Sequence, residues 1–229
     1  MILHLRIDYT TVYMSSLKQF FQAMYQKTHF WKRLIFCSIA IFIMGFCVSW
    51  LIQINMGTDP CTSMNLGISK TIGLSFGNWQ AIFNIIVFLI VLVLDKGQIG
   101  FGTVINMFGV GYVSDFFTFI WGKVLPHGLP DVLWIRSVIM IFILVAFVLA
   151  ASVYMTVDLG TSPYDSIPMI IWKKFDKINF RWIRITFDVT AAFIGFCFGA
   201  TIGIVTLIMS FALGPVIAWM RTKVEKLFV

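Results

Sequence analysis

Long apolar runs make up most of the chain, and short polar stretches separate them. A helix needs roughly 18 to 20 mainly apolar residues to cross the hydrocarbon core of a membrane. Six of the runs approach or exceed that length. The pattern therefore predicts an all-α transmembrane fold, a six-span helical bundle. The predicted spans are residues 31–56, 79–94, 100–121, 132–157, 182–198 and 202–220.

Two of the polar stretches are too polar to face lipid. Residues 61–76 include Asn65 and Lys70, and residues 164–178 include three lysines. We expect neither to cross the membrane, because a charged side chain at its centre costs several kcal/mol. Nearer the start, residues 16–25 have apolar positions at helical spacing. They predict either a helix that lies in the membrane surface or a disordered segment before the first span.

A four-residue motif occurs twice and divides the chain into two copies. Residues 57–60 read Gly-Thr-Asp-Pro, and residues 160–163, at an offset of 103, read Gly-Thr-Ser-Pro. The same offset aligns Trp31 with Trp134 and Gly100 with Gly203. Self-similarity at a fixed period indicates a repeat architecture. The predicted parts are an N-terminal segment 1–30, repeat 31–121, linker 122–131, repeat 132–221 and tail 222–229.

Three spans per copy predict that the two copies have inverted topology. An odd number of crossings makes the second copy enter the membrane from the opposite side. With the N-terminus in the cytoplasm, all but Lys70, Lys123 and Arg136 of the 17 Lys and Arg residues fall on the cytoplasmic side. This distribution is the one that the positive-inside rule requires. We therefore expect two inverted three-helix repeats with both termini in the cytoplasm.

The composition supports a membrane protein and excludes several other classes. The chain is 59% hydrophobic and 12% charged, whereas charged residues make up about a quarter of a soluble domain. The net charge of +7 lies at the ends of apolar runs, so it does not indicate a nucleic-acid partner. The four cysteines lack metal-ligand spacing, and no catalytic motif is present. We expect no metal, no cofactor and no enzymatic activity.

The repeated Gly-Thr-x-Pro turn is the first candidate for a binding site. Pro60 and Pro163 suit the first turn of a helix, and Asp59 and Ser162 are good helix caps. A helix that starts there presents unpaired N–H groups and a partial positive charge. If that end is buried at the centre, it can bind an anion or a polar headgroup. The alternative is an ordinary cap that leads into an interfacial helix.

Asp188 is the acidic residue best placed to lie within a span, and Arg184 precedes it by one helical turn. The pair predicts either a proton or ion relay or a substrate contact, since charges inside membranes tend to be functional. The alternative is a structural ion pair near the cytoplasmic surface. The candidate substrate-binding residues are Thr58, Asp59, Thr161, Ser162, Tyr164, Asp165, Arg184 and Asp188. The candidate structural residues of the repeat are Gly57, Pro60, Gly100, Gly160, Pro163 and Gly203.

The combined motifs resemble the bacterial YczE/YyaS/YitT family of integral membrane proteins over about residues 31–220. The motifs that carry the resemblance lie at residues 57–60, 71–77, 99–106, 160–165, 202–206 and 213–215. Relatives often carry an aromatic-Asp pair after the proline, which here is Tyr164-Asp165 in the second copy but Cys61-Thr62 in the first. The resemblance implies a protein of the bacterial cytoplasmic membrane.

An inverted repeat with interrupted helices is typical of secondary transporters. We therefore expect a small secondary transporter, or a translocator of lipid headgroups or anions, with its site between the repeats. The expected partners are membrane lipids and an unidentified small molecule or lipid headgroup. A second copy of the chain or another membrane protein is a further expected partner. The alternatives are an accessory protein that stabilises a partner, or a substrate-capturing subunit of an uptake complex.

Overall fold

A computed structural model describes residues 29–125, 128–129, 132–175, 177–211 and 219. Within these ranges all regular structure is helical. The helices are α1 (Phe30–Ile54), α2 (Pro60–Ile72), α3 (Phe76–Leu94), a 3₁₀ turn (Lys96–Gln98), α4 (Phe101–Val124), α5 (Leu133–Thr156), α6 (Pro163–Lys174) and α7 (Phe180–Cys197). Residues 204–211 are also helical. The predicted interfacial helix at 16–25, the tail at 222–229 and the end of the sixth predicted span lie outside the described residues.

Four of these helices, α1, α3, α4 and α5, are long and apolar enough to cross a membrane. The 25 residues of α1 extend about 37 Å at 1.5 Å per residue, which exceeds a hydrocarbon core of about 30 Å. Their outer faces are apolar and uncovered. Phe142 of α5 is 72% exposed and Val93 of α3 is 82% exposed. Lipid is the environment that suits such a surface.

Sequence signals set where the helices begin. Pro60 and Pro163 are the first residues of α2 and α6, where a missing backbone N–H costs nothing. The third helix begins at Phe76, three residues before the predicted start, because the side chain of Ser75 caps it. Short polar residues at this position stabilise a helix start by about 1 kcal/mol.

The helices pack across the two halves of the chain. Helix α1 contacts both α4 of its own half and α5 of the other half, and the main apolar core lies among these three. The short helices cross over in the same way, since α2 packs against α7 and α6 packs against α3. At one end of the core, Nη1 of Arg33 donates to the carbonyl of Val157 over 3.0 Å. The start of α1 therefore lies beside the end of α5.

Close backbone contacts between the halves recur at the offset of 103. The N–H of Gly102 donates to the carbonyl of Leu159 over 2.7 Å, and the N–H of Val205 donates to the carbonyl of Met56 over 3.2 Å. Residues 102 and 205 correspond in the repeat, as do residues 56 and 159. Each Gly-Thr-x-Pro turn therefore packs against the glycine-containing start of a helix in the other copy.

The glycines at these contacts leave no room for a side chain. A Cβ on Gly100 would meet the carbonyl oxygen of Leu159, and a Cβ on Gly203 would meet that of Met56. Both obstacles are backbone atoms, which cannot rotate away as the end of a flexible side chain can. The backbones of the two halves therefore pack closely at Gly100 and Gly203, two of the candidate structural residues of the repeat.

We expect the substitutions Gly100→Ala and Gly203→Ala each to destabilise the protein by about 1–3 kcal/mol, the usual cost of overpacking. Thermal unfolding of the purified protein in one detergent measures the effect. Gly122→Ala in α4 is the matched control, because a Cβ there meets nothing within 4 Å. Alanine is also the better helix former at that position. Equal melting temperatures for all three variants would contradict this account of the contacts.

Candidate functional site

The two Gly-Thr-x-Pro turns meet at a cavity of about 90 Å³ between the halves, which we call the central cavity. The start of α2 lines it with Asp59 and Thr62, and the start of α6 with Ser162, Tyr164 and Asp165. The residue before the first residue of each short helix caps that helix, at corresponding positions in the two copies. Oδ1 of Asp59 accepts from the N–H of Thr62, and Oγ of Ser162 accepts from the N–H of Asp165, both over 3.0 Å. Both short helices therefore begin at the centre of the molecule.

Arg184 of α7 joins two carboxylates in this cavity. Its Nε donates to Asp188 over 2.8 Å, and its Nη1 donates to Asp165 over 2.5 Å. The hydroxyl of Tyr164 donates to the other oxygen of Asp188 over 2.8 Å. Both oxygens of Asp188, which is 1% exposed, are thus paired. A buried guanidinium and its partners are tolerable only when paired in this way.

Asp59 and Gln80 also line the central cavity but are not fully paired. Oδ2 of Asp59 and Oε1 of Gln80 have no hydrogen-bond partner among the described residues. A buried acceptor without a partner costs about 1–3 kcal/mol. These two oxygens are therefore free to contact a molecule that enters the cavity.

The charges that line the cavity are mainly negative. Asp59, Asp165 and Asp188 provide three carboxyl groups, and Arg184 provides the only basic side chain among the described lining residues. The guanidinium is already engaged by two of the carboxylates. The partial positive charges of the helix starts are also met by capping side chains. The cavity is therefore a poor site for the anion suggested by the turn motif.

Six of the eight candidate site residues line this cavity, and two do not. Thr58 and Thr161 turn away, and each contacts a serine in the first turn of the short helix that follows its motif. The hydroxyls of Thr58 and Ser63 lie 2.9 Å apart, and those of Thr161 and Ser166 lie 2.8 Å apart. Both contacts occur at the same positions of the repeat. The two threonines therefore shape the turns rather than line the cavity.

The starts of α2 and α6 are buried, as the binding-site interpretation of the turn motif requires. Thr62, Ser63 and Asn65 of α2 are buried, and the helix packs on α7. The predicted pairing of Arg184 with Asp188 is present. Its link to Asp165 was not predicted, because the two residues are 19 positions apart and lie on different helices.

Polar residues of α3 and α4 complete the cavity wall. Asn84 and Asn106 line it, and Asn84 donates to the carbonyl of Met107 over 3.0 Å. This bond is the interhelical role expected for a polar side chain in a membrane helix. Gln80 was not among the candidate site residues, because it lies beside the predicted start of a span, where polar residues are common.

A second cavity of about 420 Å³ lies next to the first. Thr58 and Ser63 line it, while their neighbours Asp59 and Thr62 line the central cavity. Exposed residues such as Lys70 and Thr201 also line the second cavity. It therefore extends from the surface to the first turn motif.

The corresponding region at the second turn motif is closed by polar contacts. The N–H of Thr161 donates to the carbonyl of Gln98 over 3.0 Å, and Nζ of Lys173 donates to Asp95 over 2.6 Å. The hydrogen bond from Lys173 lowers the pKa of Asp95 below the ordinary value of a carboxyl group. The contribution of this ion pair to stability is therefore complete above the ordinary pKa and is lost as the pH falls through the lowered one.

Comparison with known proteins identifies relatives along most of the chain. The chain is 26% identical over 188 residues to the uncharacterized membrane protein YczE of Bacillus subtilis (strain 168), covering 81% of this chain and 83% of that protein. It is 24% identical over 179 residues to the uncharacterized protein YyaS of the same organism, covering 76% and 85%.

An uncharacterized protein of Haemophilus influenzae (strain ATCC 51907 / DSM 11121 / KW20 / Rd) is 32% identical over 100 residues, covering 44% of this chain and 45% of that protein. No solved structure matches the chain significantly. The relatives and the apolar helices agree that this is a membrane protein. A family model matches residues 31–222, so the chain belongs to DUF6198, a family of unknown function.

Proposed function

We propose that this protein is a small secondary transporter of the bacterial cytoplasmic membrane, with its substrate site in the central cavity. It has six spans in two inverted repeats, and both termini lie in the cytoplasm. The observation that carries the proposal is that the start of one short helix from each copy lines the same buried, polar cavity. Transporters built from inverted repeats place their sites at such interruptions near the membrane midplane.

The inverted arrangement is supported by the contacts between the copies. The start of α1 lies beside the end of α5, as expected if the first spans of the two copies run antiparallel. The backbone bonds of Gly102 and Val205 repeat at one constant offset. A two-fold axis in the membrane plane would produce both features.

Helix α7 and the helix that begins at residue 204 complete the six spans. Helix α7 carries Arg184 and Asp188, but these charges face the central cavity and pair with each other. Membrane helices tolerate a charged side chain when it faces the protein interior and is paired with an opposite charge. Its 18 residues correspond in the repeat to α3, which is apolar enough to cross.

The two faces of the molecule differ in a way that suits alternating access. At one face Lys173 pairs with Asp95, whereas the corresponding positions in the other copy are Lys70 and Phe198. Likewise Thr161 bonds to Gln98, but no hydrogen bond joins the corresponding Thr58 and Thr201 in the described part of the chain. The second cavity opens where these contacts are missing. We interpret this as a state closed at one face and open at the other.

An accessory protein that stabilises a partner was the alternative expected from the sequence. A purely structural protein gains nothing from buried acceptors without partners, since each costs stability. The unpaired oxygens of Asp59 and Gln80 therefore favour a protein that binds a molecule in its interior. For that reason we prefer the transporter.

Vesicles that contain the purified protein test transport even while the substrate is unidentified. We expect them to accumulate at least one compound from a ¹³C-labelled bacterial extract, compared with protein-free vesicles, by mass spectrometry. Asp59→Asn should abolish the accumulation, because it removes a charge from the cavity while asparagine still caps α2. Asp158→Asn is the matched control, since Asp158 is exposed at a left-handed position that asparagine also adopts.

If wild-type vesicles accumulate no compound above the protein-free level, transport is contradicted. A stoichiometric membrane partner that copurifies equally with wild type and Asp59→Asn would then favour the accessory protein.

The ion pair between Lys173 and Asp95 should hold its face closed. A cysteine replacing Ser166, which is fully buried at that face, reports opening through its reaction with a soluble maleimide. In a background with Cys61→Ser and Cys197→Ser, Asp95→Asn should speed labelling about two- to fivefold. This is the range expected for an exposed ion pair worth at most about 1 kcal/mol.

Lys70→Gln is the matched control for that experiment. Lys70 occupies the position of Lys173 in the first copy, and the described residues offer it no ion pair. Labelling that is unchanged by Asp95→Asn, or equally accelerated by Lys70→Gln, would contradict the proposed closed face.

A further inference from the structure

The central cavity contains two hydrogen-bond acceptors that lack a donor. Oδ2 of Asp59 and Oε1 of Gln80 line it without hydrogen-bond partners in the described structure. Asp59 is 9% exposed and Gln80 is 6% exposed, so bulk water does not solvate them freely. Buried polar groups are almost always paired in folded proteins. An ionised carboxylate oxygen and an amide carbonyl oxygen both accept, so a partner for these two atoms is a hydrogen-bond donor.

The charge of the cavity indicates that the donor is a cation. Arg184 is shared between Asp165 and Asp188, and Asp59 makes no ion pair with it. One carboxyl group thus faces the cavity without a basic side chain bound to it. A cation satisfies both its charge and its open lone pair, whereas an anion would be repelled by all three carboxylates.

The remaining wall suits an organic cation of small size. The rings of Phe147, Tyr154 and Tyr164 line the cavity, and aromatic faces attract cations. Among the described residues, no group of three or more His, Cys, Asp or Glu could hold a metal ion. A volume of about 90 Å³ accommodates about six to nine water-sized groups, since one water fills roughly 10–15 Å³ on this measure.

We propose that the central cavity binds a small protonated amine, which donates N–H groups to Oδ2 of Asp59 and Oε1 of Gln80. This inference rests on the proposed function, because it assigns the substrate class of the same site. A primary ammonium group carries three donors, which is enough for both oxygens. A quaternary ammonium ion has the charge but no N–H group, so it leaves both acceptors unpaired.

Methylammonium is the probe that tests this proposal. The full chain, purified in detergent, is titrated with methylammonium chloride while its melting temperature is followed by tryptophan fluorescence. A ligand that binds only the folded state raises the melting temperature with concentration. We expect this rise with methylammonium, and none with tetramethylammonium chloride or sodium chloride at equal concentrations.

Two variants assign the binding to the named oxygens. Asp59→Asn should weaken methylammonium binding about tenfold or more, the scale for losing a charge-assisted hydrogen bond. Gln80→Met removes the second acceptor at similar size and should weaken binding less. Asp158→Asn is the control and should bind as wild type does. Since asparagine caps a helix as well as aspartate, Asp59→Asn should remain folded.

Three results would overturn the proposal. They are the absence of a methylammonium-specific shift, equal binding by Asp59→Asn and wild type, and tetramethylammonium binding as tight as methylammonium. This binding measurement is independent of transport. A chain that binds methylammonium through Asp59 but moves nothing across vesicles supports the amine site and defeats the transporter. If the protein transports another compound but does not bind amines, only the proposed amine site is contradicted.

Discussion

A helix interrupted inside a membrane leaves backbone N–H and C=O groups without water to bond them. Such groups cost several kcal/mol each in hydrocarbon, so irregular backbone at that depth survives only when protein surrounds it. In this protein the carbonyl just before each Gly-Thr-x-Pro turn accepts from the start of a helix of the other half, through the N–H groups of Gly102 and Val205. The backbone at both interruptions is therefore partly paired by the opposite half.

The same pairing creates the polar cavity. Because each turn packs against the opposite half, the starts of α2 and α6 lie close together at the centre. Their capping side chains therefore line the same cavity. Helix α7 packs on α2 and delivers Arg184 and Asp188 to the same place. Arg184 pairs with two of the carboxyl groups and leaves Asp59 facing the cavity. The cavity and its negative charge thus follow from how the interruptions are satisfied.

The asymmetry between the faces arises from a few residues that the two copies do not share. Lys70 and Lys173 correspond, but the acid that binds Lys173 is Asp95, and phenylalanine stands at the corresponding position 198. Gln98 similarly corresponds to Thr201, whose hydroxyl donates to Oδ1 of Asn55 over 2.9 Å instead of contacting Thr58. The shared residues build equivalent turns, and the unshared ones make the surrounding contacts differ between the two copies.

Much of the fold could be predicted from the sequence because its main signals are local. Apolar length predicted α1, α3, α4 and α5, and proline with a preceding cap predicted the starts of α2 and α6. The turn motif and the Arg184–Asp188 spacing also identified six residues of the cavity. The six-span inverted arrangement itself stays a proposal.

Two features could not be predicted, because they depend on which helices pack together. The bond from Arg184 to Asp165 joins different helices, and the free oxygen of Gln80 becomes significant only when α2, α3 and α7 enclose it. Periodicity shows which face of a helix is apolar. It does not show which neighbour covers that face.

The central claim is that the two short helices start together at the centre and end at opposite faces of the membrane. Thr71 and Lys174 correspond in the repeat, and both are exposed at the ends of α2 and α6. In sealed vesicles of one orientation, with Cys197→Ser as background, single cysteines at these positions are treated with a membrane-impermeant maleimide. The account predicts that one reacts only from outside and the other only from the lumen. Reaction of both from the same side would contradict it.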